Sequence, residues 1–126
     1  MDNTILDFTT VSKMSEFSIK LSHMKKQLWK LNRKCYKQLM EQFTVADNLR
    51  ETTRYYVMSS NEVSVNRGLE IIKELKTTTE AYIKALNAFS NDKTIHFIDE
   101  LNELLDEIEG LRVLIRLSDH EKSFFA

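Results

Sequence analysis

A chain of 126 residues with no proline and only two glycines, Gly68 and Gly110, lacks most of the residues that close hairpins and turn the corners of sandwiches and barrels. Long helices remain open to it. Folding a chain of this length removes roughly two-thirds of its surface from water, enough for one core. The predicted class is all-α, and the spacing of the apolar residues says how the helices are divided.

From Phe17 the apolar positions fall at Phe17, Leu21, Met24, Leu28, Leu31, Cys35 and Leu39, in steps of four and three. That spacing predicts a heptad-like seam on a single helix of about 30 residues. Ser12 or Ser15 is placed to cap its start, and its end is expected between Gln42 and Ala46. Asp47, an N-cap residue type, predicts a second helix carrying Leu49, Thr53, Tyr56 and Val57. Ser59 and Glu62 have capping-box spacing and favour a break there over one helix spanning 47–89, although both remain open. A third helix shows Val65, Leu69, Ile72, Leu75, Thr79, Ile83, Leu86 and Phe89 at steps of three and four. Gly68 near its start costs about 1 kcal/mol relative to alanine and marks a close helix contact. Ser90-Asn91-Asp92-Lys93 is a turn cluster that offers Asp92 as the next cap. A fourth helix then runs from about Lys93 through Ile98, Leu101, Leu105, Ile108, Leu111 and Ile115. Four amphipathic segments with short connections predict an antiparallel up-down four-helix bundle, one domain over 1–126 with flexible tails at 1–11 and 119–126. Phe124 and Phe125 in the second tail hint at docking or a partner.

Charge is nearly balanced overall, at −1, but it is not evenly spread. Between Glu16 and Glu41 there is no acid, while Lys20, Lys25, Lys26, Lys30, Arg33, Lys34 and Lys37 all occur. At about 100° per residue, Lys26, Lys30, Arg33 and Lys37 gather within about 60° on the side opposite the apolar seam. Burying the seam would turn this cationic stripe outward. The fourth helix is the counterpart: Asp99, Glu100, Glu103, Asp106, Glu107 and Glu109, with no base over residues 99–109. Either the two faces satisfy each other within the molecule, or the basic stripe tracks a nucleic-acid backbone, or it meets the acidic face of another copy. Trp29, Tyr36 and Met40 flank the seam and read first as the shoulder of a core. Exposed, they would suit an oligomer interface or single-stranded nucleic acid.

Catalysis is not expected. His23, His96 and His120 are scattered, and Arg116 with His120 has a spacing one residue short of the Arg-x4-His motif of helical ribonucleases. Cys35 lies on the apolar seam, where a thiol is an inert small hydrophobe. The acidic pairs Asp99/Glu103 and Asp106/Glu109 lack the Glu-x-x-His partner of a di-metal site. No cofactor, metal or small-molecule substrate is expected. One cysteine excludes an intramolecular disulfide, and no stretch approaches the ~20 apolar residues of a membrane span, so a cytoplasmic location is predicted.

Over residues 24 to 117 the order of elements resembles a bacterial four-helix-bundle family, that of the proteins encoded in 23S rRNA intervening sequences and the accessory variability determinant of diversity-generating retroelements. The resemblance rests on Phe43-Thr44-Val45-Ala46-Asp47 after the first helix, on Met58-Ser59-Ser60-Asn61 leading into the third, and on the final run Ile98 to Leu111. It implies a ring-forming homo-oligomer that binds a reverse transcriptase and RNA without catalysis, with Lys26, Lys30, Arg33 and Lys37 as candidate phosphate contacts. The competing expectation is a protein-only adaptor or inhibitor, in a secretion or defence system, that works through a helix face.

Overall fold

A computed structural model of the chain describes residues 4–89 and 91–125, with side chains as far as Leu117. The described residues form five helices: α1 (Phe8–Leu31), α2 (Arg33–Gln38), α3 (Met40–Ser59), α4 (Val65–Ala88) and α5 (Ile95–Phe125). The class is all-α. Among the described residues the only β pairing is an isolated bridge between Ile5 and Ser64.

The first helix is not the continuous rod that its seam predicts. α1 opens where the Asp7 carboxylate accepts the Thr10 N–H at 2.8 Å, and it stops at Asn32, whose backbone is extended (φ −161°, ψ 109°). The Asn32 side-chain oxygen then accepts the N–H groups of Lys34 and Cys35 (3.0 and 3.2 Å), capping α2. Its amide nitrogen donates to the Phe89 carbonyl at 2.8 Å, fastening the kink to the end of α4. A second joint at Leu39 (φ −97°, ψ 6°) starts α3 at Met40, so Asp47, expected as a cap, lies well inside a helix. The rod is therefore broken in its middle. The seam still works, because Leu28, Cys35, Leu39 and Phe43 are all buried on either side of the kink.

Later boundaries lie closer to expectation. α3 ends at Ser60 in the left-handed region (φ 54°, ψ 29°), within the predicted break, but Ser64 rather than Ser59 caps α4, its hydroxyl accepting the Arg67 N–H at 3.2 Å. In the 90s turn Asn91, not Asp92, closes the turn that precedes α5: its side-chain oxygen accepts from the N–H groups of Lys93 and Thr94 (2.9 and 3.2 Å), and Thr94 Oγ1 accepts the Asn91 N–H at 2.8 Å.

The tail expected over 1–11 is tied down from Thr4 onward. Leu6 N–H donates to the Val63 carbonyl (2.8 Å), Val65 N–H donates to the Thr4 carbonyl (3.0 Å), and Val11 sits in the core. Leu6 lies so close over Gly68 that a Cβ there would collide with its Cδ1. The close contact marked by Gly68 is thus with the N-terminal segment, not with another helix. At the other end the backbone of α5 is helical through Phe125, where a tail was expected from 119; the side chains of Phe124 and Phe125 lie outside the described residues.

Packing is dominated by two helix pairs, α1 with α3 and α4 with α5, joined through contacts of both α3 and α1 with α4. Ser18 meets Thr53 while Ser22 meets Asp47, so residue numbers rise along α1 as they fall along α3 and the pair is antiparallel. The core runs from Met14, Phe17, Leu21 and Leu28 through Ile71, Ile72, Leu75 and Leu86 to Leu101, Ile108 and Ile115. No helix among the described residues is long and apolar enough to cross a membrane.

Candidate functional site

The kink at Asn32 redistributes the basic residues. Lys26 and Lys30 remain one turn apart on α1, Arg33 and Lys37 one turn apart on α2, and all four are exposed, as is Lys34. The single helical stripe is replaced by two short cationic rows on either side of a corner. None of these five side chains forms an ion pair among the described residues. Lys25, one position before the first row, differs: it pairs with Asp47 of α3, which also accepts the Ser22 hydroxyl at 2.6 Å. Burial pushes the Asp47 carboxyl up, but the hydrogen bonds from Lys25 and Ser22 and the charges of Lys25 and Arg50 outweigh it and hold the group below the usual carboxylate range.

Aromatic side chains support the corner. Trp29, between Lys26 and Lys30, is 47 % exposed, and the Arg33 guanidinium lies 5.2 Å from its ring centroid. The Tyr36 ring meets Trp29 edge-on at 5.1 Å, Phe43 packs on Tyr36 at 4.9 Å, and Tyr82 meets Phe43 at 5.6 Å. Tyr82 is fully buried and donates its hydroxyl to the Leu21 carbonyl at 3.1 Å. Four rings thus connect an exposed indole to the centre of the core. The shoulder reading of this stripe fits Tyr36, which is half-buried, but not Trp29 or Met40, which is 53 % exposed.

The acidic face of α5 does not neutralise the corner. α1 and α5 touch only lightly, across a groove lined by Lys20, His23 and Gln27 on one side and Glu100, Glu103 and Glu107 on the other. Asp99, Glu103, Asp106 and Glu107 are exposed and unpaired among the described residues. Glu109 is paired: Arg112 donates to one of its oxygens at 3.0 Å, the Lys76 ammonium lies 2.9 Å from the other, and both hold its carboxyl below the ordinary value. Further along α5, Gly110, Val113, Leu114 and Leu117 form a second exposed face at helical spacing, separate from the buried Ile108, Leu111 and Ile115.

The residues weighed for chemistry remain apart. Cys35 is buried, and desolvation raises its thiol pKa. His23 is exposed; His96, also exposed, pairs at 3.3 Å with Glu100 on its own helix; the His120 side chain, and with it the Arg116–His120 pair, lies outside the described residues. Among the described residues no three His, Cys, Asp or Glu side chains converge as a metal site would need.

Two features of this corner escape an apolar-pattern reading. The kink was signalled only by an asparagine, a cap-forming residue, inside a seam that resumes one turn later. The Ser22–Lys25–Asp47 cluster has no signal in any single helix, since it joins residues more than twenty positions apart. Comparison with family models, with curated proteins and with solved structures finds no match to this chain.

Proposed function

We propose that this chain is a non-catalytic accessory protein of the cytoplasm that binds RNA, and with it a reverse transcriptase, through the basic corner of α1 and α2. In this reading α1, α3, α4 and α5 form an antiparallel up-down bundle that works as a homo-oligomer. The supporting observation is that Lys26, Lys30, Arg33, Lys34 and Lys37 are exposed at one corner with no carboxylate partner among the described residues, in a chain whose net charge is −1. Unpaired cations clustered on a neutral protein make a local polyanion contact, and neutralising phosphates would make binding steeply salt-dependent. The test is retention on RNA across a salt series. Lys30→Glu with Arg33→Glu should weaken binding and lower the slope of log affinity against log salt by roughly two. Full affinity in the double variant would remove the corner from consideration.

A protein-only adaptor or inhibitor is favoured by a different observation. Val113, Leu114 and Leu117 are 45, 62 and 53 % exposed on one helix face, as apolar anchors in partner grooves are. That reading expects no salt-sensitive retention on RNA, and a protein complex that Leu114→Glu disrupts.

A further inference from the structure

Resting on the reading of the α1–α2 corner as an RNA contact, we infer that Trp29 is a base-stacking anchor that makes this corner select single-stranded RNA over duplex. Charge alone cannot make that distinction, since both forms carry phosphates. Three observations support it. The indole is nearly half exposed, although large aromatic rings are worth most when buried. It is not loosely held: Tyr36 abuts it edge-on, and the contact passes through Phe43 to the buried Tyr82, so the ring is braced before any ligand arrives. It also sits among cations, with Lys26 one turn before it, Lys30 next to it and Arg33 one turn after, the Arg33 guanidinium lying over the ring.

The kink at Asn32 is part of the same device. It starts α2 at Arg33 and, through its bonds to the Lys34 and Cys35 N–H groups and to the Phe89 carbonyl, fixes where α2 leaves α1. Unpaired nucleobases stack on indole rings and on guanidinium planes, and Trp29 with Arg33 offers both. Lys26, Lys30 and Lys37 can then neutralise the flanking phosphates. In a duplex the base faces are covered by their neighbours, leaving the cations alone to bind.

Trp29 is the single tryptophan in the chain, so fluorescence excited at the red edge of the absorption band, where the four tyrosines absorb little, reports on this residue. The experiment titrates the full chain at low salt with three probes: a short oligouridylate, an RNA duplex of equal length, and heparin, a polyanion without bases. Oligouridylate should quench Trp29, whereas duplex and heparin should bind with little change. Trp29→Ala, checked for helicity by circular dichroism, should weaken oligouridylate binding about tenfold while leaving heparin affinity unaltered. Trp29→Phe should restore most of it. Oligouridylate binding without quenching, or equal losses for heparin and oligouridylate in Trp29→Ala, would overturn the stacking role and leave the polyanion contact standing. If neither RNA nor heparin binds the wild-type chain, the reading of the corner falls and this inference falls with it.

Discussion

The two main helix pairs of this molecule are held together by different chemistry. α4 and α5 contribute long aliphatic side chains, Ile71, Ile72, Leu75 and Leu86 from one and Leu101, Leu104, Ile108 and Ile115 from the other, with the Lys76–Glu109 ion pair at the edge. α1 and α3 pair through small and polar residues as well: Ser15, Ser18 and Ser22 are buried on α1, Ala46 and Thr53 on α3, and Ser18 and Thr53 hydrogen-bond at 2.8 Å. Small side chains let two helices approach along much of their length, and each buried hydroxyl then needs a partner. The aliphatic pair draws on buried area, and a truncated side chain there loses area and leaves a cavity. The small-residue pair draws on specific contacts that a single substitution can leave unpaired.

The largest effect should come from the aliphatic pair. Leu101 is fully buried in α5, and Leu101→Ala should lower stability by about 3 kcal/mol, through lost transfer energy plus the cavity left behind. Urea denaturation at neutral pH measures it. Ser18→Ala makes the contrast: Thr53 keeps its bond to the Leu49 carbonyl at 2.8 Å, so the loss should stay near 1 kcal/mol. If the two variants cost the same, the division into an area-driven and a contact-driven pair is wrong.

Asp47→Ala should come between them, at about 2 kcal/mol, because it removes the acceptor of the buried Ser22 hydroxyl together with the partner of Lys25. Both ion-pair side chains are about a third or more exposed, so solvent screening limits the Coulombic share. The pH dependence tests whether charge is involved at all. The Asp47 carboxyl is held below its ordinary value in the folded chain, so its contribution is present above the unfolded pKa of about 4 and is lost as pH falls through the folded value. The gap between wild type and Asp47→Ala should therefore narrow on acidification from neutral pH. A gap constant with pH would mean that neither Lys25 nor Ser22 favours the ionised carboxyl, and would assign the whole effect to packing.

The same contrast explains what could be read from the sequence. Much of α4 and α5 was legible because aliphatic residues at steps of three and four report a buried face directly, although Ile71 and Leu104 were missed and Leu69, Ile83, Phe89 and Leu105 are only half-buried. The apolar half of the α1 seam was equally legible. Its small-residue half was not, since Ser18 and Ser22 look like surface residues until a facing helix supplies Thr53 and Asp47. Tyr82 escaped for a related reason: its hydroxyl suggests solvent, and only the Leu21 carbonyl on another helix makes its burial possible. Of the corner, the cluster of cations and their exposure could be anticipated. Its shape could not, because periodicity reports which face is buried and passes over a one-residue kink that leaves that face intact.

The smallest effect sharpens the comparison from outside both seams. Gly110 lies on the exposed face of α5, and a Cβ added there would meet nothing within 4 Å. Gly110→Ala should therefore raise stability by about 0.5–1 kcal/mol through helix propensity alone. Gly68→Ala has the same propensity gain, but its Cβ would displace the end of the Leu6 side chain, which lies over α4 beside the bridge that ties down the N-terminal segment. Its net gain should be smaller, and the N-terminal segment should loosen, read as faster amide exchange at Leu6, whose N–H donates to Val63. Equal gains with unchanged Leu6 exchange would mean that Leu6 moves aside without cost, and that the N-terminal segment is held by its backbone bonds rather than by its contact with Gly68.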